Sequence, residues 1–278
     1  MRSRIRSLLA TVLGGVCVLA FAAPGTPASA SPGPAAEPGA GAGPRAVDVP
    51  ETCPEGGNGC VDDTLAQLGG RLDALGRSCG HHATFALAYL RTTQGFAWSR
   101  DQEGYFADPR WINRVGALFA EYYYRAYDDW AAGRRSSVPS AWLIALDAAR
   151  DRRLTGAGDL LLGMNAHINR DLPYVLERIG LTAADGSSHK PDHDRIDEVL
   201  AGLVDPLHAE LIARFDPYSF DVGISPEWVL RLIVSWRAQA WRNAVRLSEA
   251  RTPLARALVE FDIESSAAAT AAALAALT

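Results

Sequence analysis

The chain has 278 residues, 48% hydrophobic and 21% charged, with 32 acidic side chains against 27 basic ones and a net charge of −5. A chain of this size buries a sizeable core without a disulfide scaffold. Its acidic balance disfavours nucleic acid, whose binding runs on phosphate neutralisation, so no nucleic-acid partner is expected.

Arg2, Arg4 and Arg6 form a positive start, Leu8 to Ala23 an apolar run, and Pro27-Ala28-Ser29-Ala30 a small-residue cleavage site. This pattern predicts a signal peptide over residues 1–30, cleaved near Ala30, and a secreted protein. The run is short for a membrane span, so no retained membrane anchor is expected. Taking those three arginines from the 27 basic residues leaves 24 against 32 acidic ones, a balance of −8. Residues 31–60 read as a disordered Ala/Pro/Gly tether followed by a Cys-containing loop. Cys53 and Cys60 flank a turn-rich Pro-Glu-Gly-Gly-Asn-Gly segment, which makes their bridge the first choice. A Cys60–Cys79 bridge competes, and an odd count leaves one thiol over in either case.

From Val61 onward the apolar period is helical. Leu65, Leu68, Leu72 and Leu75 mark a first helix, and a second runs from His81 to Thr93. Trp98 to Pro109 reads as a structured loop. The third helix, Trp111 to Trp130, carries Phe119, Tyr122, Tyr123, Tyr124 and Tyr127. Pro139 opens a fourth, Ser140 to Ala149. The fifth spans Asp159 to Ile179 and stops at Gly180, with a kink predicted at Pro173. The sixth, Asp192 to Arg214, is predicted to break near Asp205-Pro206. Ser225-Pro226-Glu227 is a strong start for the seventh, and the last runs from Pro253 to Ala273. No segment alternates as a strand does. The expected fold is all-α: a single-domain multi-helix bundle of about eight helices over residues 61–278, most simply a monomer.

The fifth helix carries the candidate chemistry. Met164, Ile168, Leu172, Val175 and Ile179 define its apolar face, yet Asn165, His167, Asn169 and Asp171 occupy or border the same sector. Buried polar groups need partners, so this seam meets protein groups, water or a ligand. His167 and Asp171, four residues apart, present an imidazole and a carboxylate together, as a helical metal site or an acid–base pair requires. The alternative is a hydrogen-bond network that fixes helix packing. His193 and Asp197 repeat the spacing. His82 is the inward-facing member of the His81-His82 pair. Glu121 is a candidate proton carrier from the third helix, although its neighbours Arg125 and Asp128 also suit a surface ion-pair network.

Phosphate loops, dinucleotide fingerprints, nucleophile elbows and the His-Glu-x-x-His motif are absent from the sequence. The Gly163-Met-Asn-Ala-His-Ile-Asn-Arg-Asp-Leu-Pro173 segment resembles an actinobacterial family catalogued only as a domain of unknown function. The likeness extends over Thr84 to Leu90, the aromatic third helix and Trp236 to Leu247, and it implies a domain boundary without an activity. A weaker likeness, carried by His167-x-x-x-Asp171 and His193-x-x-x-Asp197, is to the helical zinc-dependent phospholipase C and single-strand nuclease group. It implies a divalent metal such as zinc held by His167, Asp171, His193 and Asp197, to which the inward-facing His82 is added as a candidate ligand. The expectation is therefore a secreted metal-dependent hydrolase, with phosphoesters the candidate substrates, and with His167, Asp171 and Glu121 catalytic and Asn165 and Asn169 binding a cofactor. The competing expectation is a non-catalytic extracellular protein that binds a small or lipid-like molecule or serves as a helical scaffold.

Overall fold

The computed structural model describes residues 49–76, 80–215 and 225–276. The expected leader, the tether up to residue 48 and Cys79 lie outside these residues. Nine α-helical segments occur among them: α1 (Asn58–Gly76), α2 (His82–Arg100), α3 (Pro109–Ala131), α4 (Ser140–Asp151), α5 (Gly156–Asn165), α6 (Leu172–Ile179), α7 (Lys190–Arg214), α8 (Pro226–Glu249) and α9 (Pro253–Ala275). A π turn, Ala166–Asp171, joins α5 to α6 without interruption, so the nine segments form eight rods. One isolated bridge, Thr182 to Ser188, is the extent of β pairing among the described residues. They all fall in one compact unit.

The helix starts follow the local chemistry. Asp108, Thr155, Ser225 and Thr252 each accept a first-turn backbone N–H, opening α3, α5, α8 and α9. Gly180, at a φ of 102°, ends α6. Three boundaries differ from expectation. Helix α1 begins at Asn58, ahead of Val61. Helix α2 runs past Thr93 to Arg100, because Gly95 provides a close approach to α7: a Cβ there would lie 2.6 Å from Leu203 Cδ1. Helix α7 continues through Pro206. That proline and Gly202 one turn earlier are exposed, so the carbonyl that loses its donor lies on the solvent side of the helix.

Cys53 and Cys60 form a disulfide, which overturns the Cys60–Cys79 alternative. The loop it closes is docked on α3. Asn113 Nδ2 donates to Gly56 O at 2.9 Å, and Arg114 pairs with Glu51 at 2.7 Å. Gly56 has a φ of 65° and lies under the Arg110 backbone, where a Cβ would come within 2.4 Å of the carbonyl oxygen. Only glycine fits.

Two apolar cores share the rod α5–π–α6. The first gathers α1, α2, α4, the later turns of α3 and α9 and the upstream half of the rod, with Leu87, Trp142 and Leu162 fully buried in it. The second gathers α3, α8, α9 and the downstream half, around Leu118, Val175, Leu176 and Ile263. The polar seam runs along the rod where these cores meet.

Candidate functional site

His167 and Asp171 both lie in the π turn, buried to 3% and 0% exposure. The wider turn replaces the kink expected at Pro173. It closes with Leu172 N–H donating to His167 O, five residues back. Asp171 sits at the centre of a buried network. Its Oδ2 accepts from Trp142 Nε1 at 2.8 Å and lies 3.1 Å from His167 Nδ1, while Oδ1 accepts from Arg170 Nη1 at 3.0 Å. Arg170 Nε donates to Glu264 Oε1 at 2.8 Å, which carries the network to α9. One guanidinium thus stands between two carboxylates, and burial pushes the Glu264 carboxyl above its ordinary range.

The same logic fixes the protonation of His167. Burial lowers its pKa, and the raising effect of Asp171 does not overcome that desolvation. The neutral ring places its proton on Nδ1, because the opposite tautomer would set a lone pair against the carboxylate. Nε2 is therefore an acceptor, and it is buried without a hydrogen-bond partner. Phe119 stacks on the ring at 3.5 Å and 4°, and Tyr89 meets it edge-on at 4.7 Å. Burial also raises the Tyr89 phenol well above its ordinary range, so it stays protonated.

His167 lines a cavity of about 170 Å³ bordered by α2, α3, the rod, α7 and α8. The remaining wall is almost wholly apolar, including Phe96, Val115, Phe119, Ile168, Leu172 and Ile233. Helix α7 closes one side. Its Leu200, Leu203 and Leu207 face this space and stay half-buried, which explains why so long a helix has few fully buried residues.

The other predicted site residues disperse. His193 also lines the cavity, buried, with Nε2 3.3 Å from Arg237 O and its pKa held well below the usual imidazole range by burial. Asp197 is committed to Arg237 Nε at 2.5 Å, and Arg237 Nη2 donates to His193 O. His82 Nε2 lies 3.0 Å from Leu146 O, with its ring against Trp130. It borders a separate small cavity with His81 and Asp159. Glu121 is half-buried on the outer side of α3 and feels Arg71 and Asp128; burial raises its carboxyl. Asn165 donates to Ala267 O and Asn169 to Asn165 Oδ1, both at 2.9 Å, so Asn165 docks α9 onto the rod and Asn169 braces Asn165 from within it. Among the described residues no three His, Cys, Asp or Glu side chains are arranged to hold a metal ion.

Sequence reasoning missed Trp142, Arg170 and Glu264, which surround Asp171, and treated Tyr89 as core alone, whereas the aromatic third helix with Phe119 reads equally as core or as the lining of an apolar cavity. It also missed the pairing of His81 Nδ1 with Asp159 Oδ2 at 2.6 Å, in which burial lifts the Asp159 carboxyl to about 6. Trp142, Glu264 and the His81–Asp159 pair are joined across 29, 94 and 78 residues, so no local spacing marks them, while Arg170 adjoins Asp171 and gains its role only when Glu264 packs against it.

Among the described residues no helix is long and apolar enough to cross a membrane. A family model described as "Family of unknown function (DUF5995)" matches residues 61–277. No curated protein and no solved structure matches the chain.

Proposed function

The chain belongs to the Family of unknown function (DUF5995), a description that assigns no activity, and from the geometry we propose that it binds a small apolar molecule in the cavity of its helical domain. The observation that carries this reading is the cavity itself: about 170 Å³ with an almost wholly apolar wall, beside the unpartnered Nε2 of His167. An engineered cavity of about 150 Å³ suffices for benzene, so the size suits one ring or a short chain. An apolar concavity with a few polar side chains at its wall, here Thr92, Thr93, His167 and His193 among them, is the usual form of a small-molecule site.

Export after cleavage near Ala30 is part of the proposal. The arginine-led apolar leader supports it, and so does the Cys53–Cys60 bond, which suits an oxidising compartment. Hydrolysis of a phosphoester at a divalent metal, with the likeness to the zinc-dependent phospholipase C and nuclease group, has less behind it. Both Asp171 oxygens, Asp197 Oδ1 and the Nε2 atoms of His82 and His193 already face protein partners. These donors do not fit a metal such as zinc.

Ligand-observed NMR with 4-propyltoluene tests the reading. Binding to the wild type is expected, together with a raised Tm and loss of both in Leu203→Trp, which fills the cavity from α7. Absence of binding to the wild type, or undiminished binding to the filled variant, would overturn it.

A further inference from the structure

Among the described residues four large apolar side chains are exposed, and three of them fall on one line. Leu254, Leu258 and Phe261 of α9 are 72%, 59% and 68% exposed, while the fourth, Trp98, stands on α2. Their spacing of four and three continues through Ser265, Ala268 and Ala272, which are exposed or half-buried. At 100° per residue these positions fall within about 80° of one another. They lie on the opposite side of the helix from Val259, Ile263 and Ala267, which seat it on the domain. Single surface hydrophobes need no explanation, but a line of them with a period of 3.5 residues is the seam of a helix pair.

We infer that this face of α9 pairs with the α9 of a second copy, in place of the monomer expected from sequence, antiparallel and about a two-fold axis at the level of Ile263. The sizes of the side chains set that register. Leu254 of one copy then meets Ala272 of the other, Leu258 meets Ala268, and Phe261 meets Ser265. Every level of the seam sets one large side chain against one small one, which fills a helix interface evenly. A parallel pair would oppose leucine to leucine and phenylalanine to phenylalanine at one end and alanine to alanine at the other, crowding the first and leaving the second empty. A two-fold axis demands a surface that complements itself, and this seam complements its own reverse.

Charge does not oppose the contact. The charged side chains of α9 are all paired within the chain: Arg256 with Glu177 and Glu260, Asp262 with Arg246, and Glu264 with Arg170. None of them falls on the seam. From Leu254 to Ala272 the seam is about 27 Å long, and a second helix laid along it hides on the order of 550 Å² on each copy. The total of about 1,100 Å² is larger than a casual surface contact and just short of a standard stable interface, so a dissociation constant of about 1–10 μM is expected.

Sedimentation velocity of the full chain between about 0.5 and 100 μM tests the inference, and the wild type is expected to pass from monomer to dimer across that range. Leu258→Glu should weaken the dimer at least about a hundredfold, since the two-fold axis buries the new charge twice. Its Tm below the dimer concentration should match that of the wild type, because the side chain is exposed in the single copy. Ala268→Leu should weaken the dimer about tenfold by setting a leucine against Leu258, and the double variant Leu258→Ala/Ala268→Leu should restore it to within about threefold. A monomer at every concentration would overturn the inference, as would a dimer that persists in Leu258→Glu. Tighter association in Ala268→Leu would overturn it as well, because that is the signature of a parallel pair.

Discussion

Replacing Trp142 by Phe probes the network that holds His167. The phenyl ring would still pack against Phe85 and Tyr123, whose rings lie 5.4 and 5.6 Å from the indole. What disappears is the Nε1–H donated to Asp171 Oδ2 at 2.8 Å, beside a carboxylate with no solvent exposure. Oδ2 then keeps only the His167 Nδ1–H at 3.1 Å. A hydrogen bond to a buried charged group contributes about 2 kcal/mol. The smaller ring leaves a void of roughly 40 Å³, which at ~24 cal/mol per Å³ adds about 1 kcal/mol. The expected loss is about 3 kcal/mol, or roughly 6–12 °C in Tm for a domain of this size. Trp130→Phe is the matched control. Its Nε1–H donates to Asp147 Oδ1 at 2.9 Å, but that carboxylate also pairs with Arg135 at 2.6 Å and is partly open to water. Its loss should stay below about 1 kcal/mol. Urea unfolding followed by circular dichroism, with unchanged m-values, measures both. A Trp142→Phe loss no larger than that of Trp130→Phe would refute the claim that the indole holds Asp171.

Three further outcomes are expected. His167 and His193 are held neutral by burial, with folded pKa values below the usual 6.5, so the unfolded chain takes up their protons first. Stability should therefore fall as pH drops below about 6.5, until the folded values are reached. Asp159 acts with opposite sign, since its carboxyl is raised to about 6 in the fold. Asp159→Asn should thus steepen the fall between about pH 6 and 4 in a pH series of urea midpoints, and a shallower fall would contradict the assignment. Gly163→Ala adds a Cβ 2.6 Å from Phe85 Cδ2, inside a ring already hemmed by Tyr123 and Trp142. Despite the ~1 kcal/mol that alanine gains over glycine in a helix, the variant should be less stable by about 1–2 kcal/mol and bind 4-propyltoluene more weakly; a stabilised variant in urea unfolding would count against the packing described. Purified protein is expected to carry no stoichiometric zinc, and EDTA should leave its Tm within about 1 °C; a metal at one per chain by mass spectrometry would reopen the hydrolase reading.

Much of the architecture is legible locally. Ser225-Pro226 and Asp108-Pro109 announce helix starts because a side-chain cap and a proline act within one turn. Cys53 and Cys60 declare their bridge by the turn between them. The His167–Asp171 pair is legible for the same reason, being four residues apart on one rod. The rest depends on distance. Trp142, Arg170 and Glu264 come from three elements, and no spacing rule connects them. Gly95 reads as a helix end until Leu203, more than a hundred residues later, packs over it. His193 and Asp197 repeat the favourable spacing, but Arg237 from α8 takes up both. Spacing assigns neighbours within a helix, whereas a site requires the packing between helices.

The π turn has a consequence for how the rod relates its two halves. An extra residue in one turn rotates everything after it by about 100° relative to an unbroken α-helix. Leu160, Leu162 and Ala166 point into the first core, and Leu172, Val175, Leu176 and Ile179 into the second. The turn is thus a phase shifter between two cores that a straight helix would serve from a single face. A one-residue insertion or deletion anywhere in 160–179 would leave one core in register and swing the other round to the wrong side. The dyad sits on the pivot, so the residue that orients the imidazole also sets the rotation by which the two cores are matched.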